Sequence, residues 1–246
     1  MEKSDLSHHI LSRFNADLEG VRAGVLQMGG LVEQQLQNGI KALYEGDSKL
    51  GEQVAQMQVA MYEHDRTPFH GDPRHVLEGV LRRFDALGLK PVMAVELEFY
   101  LVDRERTSDG CAQPPRQPLS GRRENKTQIN SMAELDEYSG GLEALDAAAR
   151  AQDLPTGTVL AEYGPGQFEV NLHHVDDALL ACDHAIRLKR LIKGVALQHG
   201  MEATFMPKPY RAHAGSGAHL HVGLVDANGH NIFAPGDPAG TQALRH

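Results

Sequence analysis

The chain has 246 residues and a formal net charge of -9, with 24 Lys and Arg residues against 33 Asp and Glu residues. A chain of this length forms one large domain or two small ones and buries a substantial core. The acidic excess, with no basic block, argues against a general nucleic-acid or membrane-surface binder, and two distant cysteines with no apolar run of bilayer length favour a reduced, cytoplasmic setting.

The first part of the chain has apolar residues in steps of three and four, which is typical of an amphipathic helix. They are Ile10, Phe14, Leu18, Val21, Val25, Met28, Val32, Leu36, Ile40 and Leu43. The pattern predicts one long helix that continues through Gly29 and Gly30, although two adjacent glycines could kink it. Asp47 or Ser48 could cap a shorter second helix. We therefore expect residues 1–56 to form a helical extension that needs a partner surface.

The run FNADLEGVRAGVLQMGGLVEQQLQNGIKALYEGDSKLGEQV resembles the opening of PhoU-type phosphate-signalling regulators, which are helical bundles. Only the first helix of that family and the start of the second have counterparts, and its acidic metal-binding motifs have none. The resemblance implies a helical appendage without retained activity. Because one helix cannot bury its own apolar stripe, self-association through this segment is one expectation.

A mixed pattern begins at residue 57. Asp72 as N-cap and Pro73 at the first helical position begin a short helix that stops at Gly88. Its apolar positions are Val76, Val80, Leu81, Phe84 and Leu87. Residues 91–102, PVMAVELEFYLV, alternate as a strand does, with Glu96 and Glu98 on the face opposite the apolar side chains.

Residues 103–130 are polar and rich in proline, which predicts a surface loop. Its basic cluster of Arg116, Arg122, Arg123 and Lys126 indicates a solvated face, with contact to a phosphate as the alternative. Further elements are predicted as a helix at 134–151, a strand at 158–162, a helix from Asp176 or Asp177 through His199, and strands at 203–206 and 218–225. The inward positions of the long helix are Leu180, Leu188, Leu191, Ile192 and Val195.

The stretch EYGPGQFEVNLHH, residues 162–174, joins two carboxylates through a tight turn at 164–166. Alternation places Gln167, Glu169, Asn171 and His173 on one face of the strand that follows. Glu162 ends one segment and Glu169 lies early in the next. We expect these two carboxylates to lie close together.

Three predicted strands each offer metal-binding side chains at alternate positions. The pairs are Glu96 with Glu98, Glu162 with Glu169, and His219 with His221. If one sheet brings these faces together, the result is a carboxylate-rich pocket that suits Mg²⁺ or Mn²⁺ better than Zn²⁺ or copper. These ions are what phosphoryl transfer from ATP requires.

The segments VELEFYLVD, EYGPGQFEVNLHHVDD, EATFMPKP and GSGAHLHVGL occur in that order, and the chain from about residue 60 resembles glutamine synthetase catalytic domains. Within that family it looks like the branch that includes γ-glutamyl-polyamine ligases. The resemblance implies an α+β fold, a curved and mainly antiparallel sheet with flanking helices, for residues 57–246. It also implies a role in nitrogen metabolism, by ATP-dependent ligation of ammonia or an amine to the γ-carboxylate of glutamate through γ-glutamyl phosphate.

The resemblance also implies site residues. Glu98, Glu162 and Glu169 would hold a first Mg²⁺ or Mn²⁺ ion, and Glu96 and His219 a second. Gly215 would lie where the family binds glutamate, and His221 in the nucleotide pocket. Glu162 would act in catalysis by helping to bind and deprotonate the attacking nitrogen, whereas the roles of His173 and His174 stay open.

The chain departs from the family pattern at both ends. The family has a small β-grasp domain before the catalytic domain, where this chain has the PhoU-like segment, and it continues well beyond residues 241–246 with a further carboxylate ligand, substrate-binding arginines and a flap. We therefore expect an incomplete second metal site in a truncated fusion product that turns over poorly or not at all. The competing hypothesis is a non-catalytic phosphate-regulation or interaction protein in which the helical extension is the working part.

Overall fold

The computed structural model describes residues 58–233 together with Glu19, Gln37, Lys41 and Thr241. The chain falls into two compact units, Met1–Val59 and Ala60–His246, and the elements that follow belong to the second unit. The long helix and the shorter second helix predicted within residues 1–56 lie outside the described residues, apart from the three residues named above.

The described part of the second unit contains four helices and five strands. They are α1 (Pro73–Ala86), β1 (Lys90–Asp103), α2 (Met132–Glu137), α3 (Ser139–Ala151), β2 (Thr156–Ala161), β3 (Gln167–Leu172), α4 (Ala178–Gln198), β4 (Met201–Thr204) and β5 (Ala218–Val225). No helix in residues 58–233 combines the length and the apolar character needed to cross a bilayer.

All five strands join one antiparallel sheet around β1, in the order β2-β3-β1-β4 with β5 also paired to β1. Strand β3 pairs with the middle of β1, from Glu96 to Tyr100. Strands β5 and β4 follow one another along the other edge of β1, β5 from Lys90 to Leu97 and β4 from Tyr100 to Asp103. The predicted α+β fold with an antiparallel sheet and flanking helices is confirmed.

The core lies on one face of this sheet. Alternate residues of β1, including Leu97 and Phe99, are buried together with Leu188 and Ile192 of α4. Phe168 of β3 packs near Phe99, with ring centroids 6.1 Å apart. Each fully buried large apolar side chain contributes about 1.5–3 kcal/mol relative to the exposed state. The opposite face of β1 carries Glu96 and Glu98, between the buried Ala94 and Tyr100.

Helix α1 begins as predicted, because the Asp72 side chain accepts the Arg74 N–H over 2.9 Å and Pro73 follows. It ends before Gly88, which has φ +68. Three of its predicted apolar positions, Val76, Val80 and Leu87, are nevertheless exposed. The prediction that Leu180 points inward is wrong, because its side chain near the start of α4 is 42% exposed. Periodicity identifies the apolar face of a helix, but tertiary packing decides how much of that face is covered.

The predicted helix at 134–151 is two helices, α2 and α3. Tyr138 leaves helical geometry between them, at φ -103 and ψ 10, and its ring edge packs on Phe168 at a centroid distance of 5.2 Å. The strand predicted at 203–206 begins earlier, because Gly200 ends α4 at φ +75 and Met201 pairs at once with Asp103.

The loop predicted at 103–130 is confirmed, since no helix or sheet strand lies between the end of β1 at Asp103 and the start of α2 at Met132. Arg123 of its basic cluster forms an ion pair with Asp103 over 2.6 Å and donates to the carbonyl of Pro114. This guanidinium therefore has a structural role in anchoring the loop to the end of β1.

Candidate functional site

The candidate site lies on the polar face of the sheet, where the register of three strands sets which side chains meet. Glu96 of β1 is paired with Asn171 of β3 on one side and with His219 of β5 on the other. Glu98 is paired with Glu169. Directly opposed residues of an antiparallel pair share a face, and diagonal neighbours lie within reach of long side chains. The sheet therefore brings carboxylates and histidines from β1, β3 and β5 together.

Three of these residues form a compact group. One ligand atom each from Glu96, Glu169 and His219 can be chosen so that all lie within 4.8 Å of one another. Glu169 is buried, at 7% exposure, whereas His219 lies at the open side of the group. Burial on one side and access on the other suit the capture of a small ion from solution.

The Glu96 carboxylate contacts two imidazoles of β5. Its Oε1 lies 2.8 Å from His221 Nε2, and its Oε2 lies 3.4 Å from His219 Nδ1. His219 and His221 share a face because they are two residues apart on a strand. The predicted polar face of this strand is therefore the side that meets Glu96.

The turn at 164–166 joins β2 to β3 and is buried throughout. The Glu162 N–H donates to the Gln167 carbonyl over 2.8 Å, and the Gln167 N–H donates to the Gly164 carbonyl over 2.9 Å. A Cβ on Gly164 would lie 2.1 Å from the Tyr100 hydroxyl oxygen. Only glycine fits at position 164 between this turn and β1, so the turn connects Glu162, just after β2, to Glu169 on β3.

Gln167 is a site residue that the sequence analysis placed on the polar face without giving it a role. It is fully buried, and its Nε2 donates to Glu98 Oε2 over 2.9 Å and to the Gly215 carbonyl over 3.0 Å. Its Oε1 accepts the Gly164 N–H over 2.9 Å. The signal for this role was a buried amide side chain at the first position of the strand that also carries Glu169. Gln167 links Glu98, Gly215 and the turn.

Negative charge is crowded in this site. Burial raises the pKa of Glu162, and the charges of Glu98 and Glu169 raise it further. Burial likewise raises the pKa of Glu169, with Glu96 adding to the effect. A divalent cation would offset this repulsion and favour the ionised carboxylates.

The grouping differs in one respect from the predicted ligand sets, which placed Glu169 with Glu98 and Glu162. The compact group instead combines Glu169 with Glu96 and His219, because Glu169 is the diagonal neighbour of Glu96 in the register. The donor set of carboxylates and imidazole suits Mg²⁺ or Mn²⁺. Among the described residues, the buried Asn171 Oδ1 has no hydrogen-bond partner and offers a further oxygen at this face.

The remaining predicted residues lie beside this group. The rings of His174 and His221 are in edge contact at a centroid distance of 6.1 Å. Both line an open cavity of about 360 Å³ together with Val92, Val222, Gly223, Val225 and Asn231. His173 lies elsewhere, because its Cε1 would be 3.3 Å from a Cβ placed on Gly157 of β2. His174, and not His173, therefore shares the His221 side of the site.

The fold and site together define a mixed α/β protein with a carboxylate and histidine cluster on an antiparallel sheet. Residues 70–246 match the family model of the glutamine synthetase catalytic domain, and the chain belongs to this family. The resemblance given by its motifs is confirmed at the level of the family. The PhoU-like segment stays a prediction.

Two curated relatives are amine ligases by name. The chain is 41% identical over 192 residues to the gamma-glutamylputrescine synthetase PuuA of Escherichia coli, covering 78% of this chain and 41% of the relative. It is 34% identical over 168 residues to a glutamate–isopropylamine ligase of a Pseudomonas species, covering 68% of this chain and 36% of the relative. The chain thus spans about two fifths of the length of these relatives.

Solved structures give the same result for the fold. A GmaS structure determined as an ADP complex superposes with a TM-score of 0.62 at 28% identity, covering 72% of this chain and 39% of that one. A crystal structure of a glutamine synthase homolog superposes with a TM-score of 0.60 at 26% identity, covering 73% and 38%.

Proposed function

We propose that this chain carries the metal-binding half of a glutamate–amine ligase, which joins an amine to the γ-carboxylate of glutamate through γ-glutamyl phosphate at the expense of ATP. The observation that carries the proposal is the convergence of Glu96, Glu169 and His219 on one sheet face. Membership of the glutamine synthetase catalytic-domain family supports it. ATP, glutamate and an amine or ammonia are the substrates in this proposal.

Glu98, Glu162 and Glu169 are the proposed ligands of one Mg²⁺ or Mn²⁺ ion, and Glu96 and His219 of another. Such ions supply positive charge that offsets the charge of the transferred phosphoryl group. Glu162 is the proposed catalytic base for the attacking nitrogen, because a carboxylate at the edge of this cluster can accept a proton from an amine. Gly215 is proposed to face glutamate and His221 the nucleotide.

An organic amine is the proposed acceptor. The names of two relatives specify putrescine and isopropylamine as the amine joined to the glutamyl group, and these relatives share 41% and 34% identity with the chain over its matched residues. Other relatives are glutamine synthetases at 29–33% identity, so ammonia is the alternative acceptor. A competition between amines and ammonia distinguishes these two outcomes.

The proposal also covers the division of the chain into segments and its location in the cell. We propose that residues 1–56 form a PhoU-like helical segment that can self-associate and that residues 57–246 form the catalytic part. The division into units at Val59 and Ala60 supports this boundary. A cytoplasmic location is proposed because Cys111 and Cys182 are free thiols, as a reducing compartment requires.

The test is calorimetric titration of the full chain with Mn²⁺, followed by assay of ADP release from ATP with glutamate and candidate amines. The Glu96→Gln and Glu169→Gln double variant should abolish saturable Mn²⁺ binding, because it changes two members of the compact group and one ligand of each proposed ion. The control is the Glu63→Gln and Glu143→Gln double variant, which makes the same charge change at two exposed positions outside the site.

Saturable binding that only the site variant loses, with ADP release that requires both glutamate and an amine, would support the proposal. Binding that survives the site variant would contradict the metal assignment. Metal binding without ADP release would contradict ligation by this chain and favour a regulatory or interaction role.

A further inference from the structure

A buried carboxylate outside the predicted site contacts the turn that holds the site together. Glu134 of α2 is 4% exposed, and its Oε1 accepts the Gly166 N–H over 2.5 Å. Glu134 is itself anchored, because its own N–H donates to the Ser131 side chain at the start of α2. Neither the motifs nor the proposed ligand sets include this residue.

The turn at 164–166 depends on partners from several elements. The Gly164 N–H donates to Gln167 Oε1, the Gly166 carbonyl accepts the Leu101 N–H over 2.8 Å, and Pro165 has no N–H. The Gly166 N–H is therefore the donor of this turn whose acceptor comes from α2. Without Glu134, this buried N–H would lose its acceptor, and buried donors are costly to leave unpaired.

Gly166 lies in a closely packed part of the turn. Its φ of +72 is in the left-handed region, and a Cβ there would lie 3.1 Å from the Leu101 carbonyl and 3.4 Å from Pro115 Cδ. Tyr138, one helical turn after Glu134, packs on Phe168 just beyond the turn. Helix α2 and the residue that follows it thus contact both the turn and the start of β3.

We propose that Glu134 is a positioning residue of the site, which fixes the 164–166 turn through the Gly166 N–H and so sets the separation of Glu162 and Glu169. Six residues, 163–168, connect these two carboxylates, and the turn lies in the middle of this connection. The pairing of β2 with β3 holds the segments on either side of it. Glu134 belongs to neither of the proposed ligand sets and acts on the site through the turn. The inference rests on the proposed function only in that Glu162 and Glu169 are proposed metal ligands.

The experiment compares Glu134→Ala, Glu134→Gln and Glu134→Asp in the full chain. Glutamine has the same side-chain length as glutamate and keeps an acceptor oxygen but no charge. Aspartate keeps the charge, but its side chain is shorter by one methylene group. The matched control is Glu137→Ala on the same helix, which removes a carboxylate that accepts the Leu119 and Ser120 N–H groups of a surface loop.

The first readout is amide hydrogen exchange in peptides that span residues 163–168, measured without metal. Exchange should accelerate by about tenfold in Glu134→Ala and Glu134→Asp, stay near wild type in Glu134→Gln, and be unaffected in the control. The second readout is the Mn²⁺ dissociation constant, which should rise by about 10-fold or more in Glu134→Ala.

Unchanged exchange at 163–168 in Glu134→Ala, or equal acceleration in Glu137→Ala, would overturn the proposal. Faster exchange with an unchanged Mn²⁺ dissociation constant would also overturn it, because the turn would then not position the ligands. If Glu134→Ala does not fold, the contrast between the Asp and Gln variants decides the question. If the wild type binds no Mn²⁺, the proposed function fails, while the exchange data still decide whether Glu134 fixes the turn.

Discussion

Gln167 Nε2 donates a hydrogen bond to Glu98 Oε2 over 2.9 Å and so ties the first residue of β3 to a carboxylate of β1. The same nitrogen donates to the Gly215 carbonyl, which holds the loop before β5 against both strands. An amide can serve three acceptor and donor groups at once, whereas a carboxylate at this position would repel Glu98. Gln167 therefore orients Glu98 without adding charge to an already crowded site.

Replacement of Gln167 by Leu should weaken Mn²⁺ binding by about 10-fold, because loss of a partner that orients a metal ligand typically costs 10–100-fold in affinity. It should also lower the free energy of unfolding by about 1–3 kcal/mol, since the Gly215 carbonyl and the Gly164 N–H lose a buried partner. Titration calorimetry and urea unfolding measure the two effects.

Gln113→Leu is the matched control, because Gln113 donates to the Glu105 carbonyl in the loop after β1 and not in the site. A Gln167→Leu variant with wild-type Mn²⁺ affinity would show that Glu98 needs no orientation by Gln167.

Two glycine-to-alanine changes should have opposite effects on stability. Gly164→Ala should destabilise the protein by several kcal/mol, because the new Cβ would lie 2.1 Å from the hydroxyl oxygen of the fully buried Tyr100. Gly194→Ala should stabilise it by about 0.5–1 kcal/mol, since Gly194 lies inside α4 and a Cβ there meets nothing within 4 Å.

Urea unfolding of both variants checks this pair of predictions. Equal destabilisation by the two changes would mean that the close approach of Tyr100 to the turn does not limit position 164.

His75 should make stability depend on pH. Its Nδ1 lies 3.1 Å from Glu78 Oε2 and its Nε2 lies 2.8 Å from the Met61 carbonyl, so both nitrogens face acceptors and the imidazolium satisfies both. The hydrogen bond to Glu78 raises the pKa of His75 above 6.5, burial opposes this, and the Met61 carbonyl adds to the increase. Its contribution to stability is therefore complete below the unfolded pKa near 6.5 and is lost as pH rises through the higher folded pKa.

We expect the difference in unfolding free energy between wild type and His75→Gln to shrink as pH rises from about 6 to about 9. The control is His230→Gln, which removes an exposed histidine near Asp226. A difference that stays constant over this range would show that His75 is not held as the cation.

The two histidines of β5 should differ in their effect on metal binding. His219 belongs to the group that can surround an ion, and His221 does not, although both contact Glu96. His219→Ala should raise the Mn²⁺ dissociation constant by at least about 10-fold, and His221→Ala by less than about 3-fold. Because each variant removes one imidazole partner of Glu96, each is the control for the other. Similar losses in both would contradict the assignment of the ion to His219 in preference to His221.

The local elements were predictable from residues close together in the chain. Asp72 and Pro73 mark the start of α1, Asp177 caps α4 by accepting the Leu180 N–H, and the bounds of β5 match the predicted 218–225. The alternation of Glu96 and Glu98 with apolar residues correctly predicted that one face of β1 is polar. Caps and periodicity act within one or two turns or along one strand, so the sequence alone carries them.

The sequence by itself thus determined most of the helices and strands within residues 58–233, the set of carboxylates and histidines available for a site, and the family to which the chain belongs. Only the tertiary structure decided that Glu169 lies diagonally across from Glu96, that Gln167 orients Glu98, and that Glu134 reaches the turn from α2. These relationships depend on strand register and on packing between segments more than 30 residues apart, as Glu134 and Gly166 are separated by 32 positions. Register and burial arise from the sum of many distant contacts, which no local pattern of residues specifies.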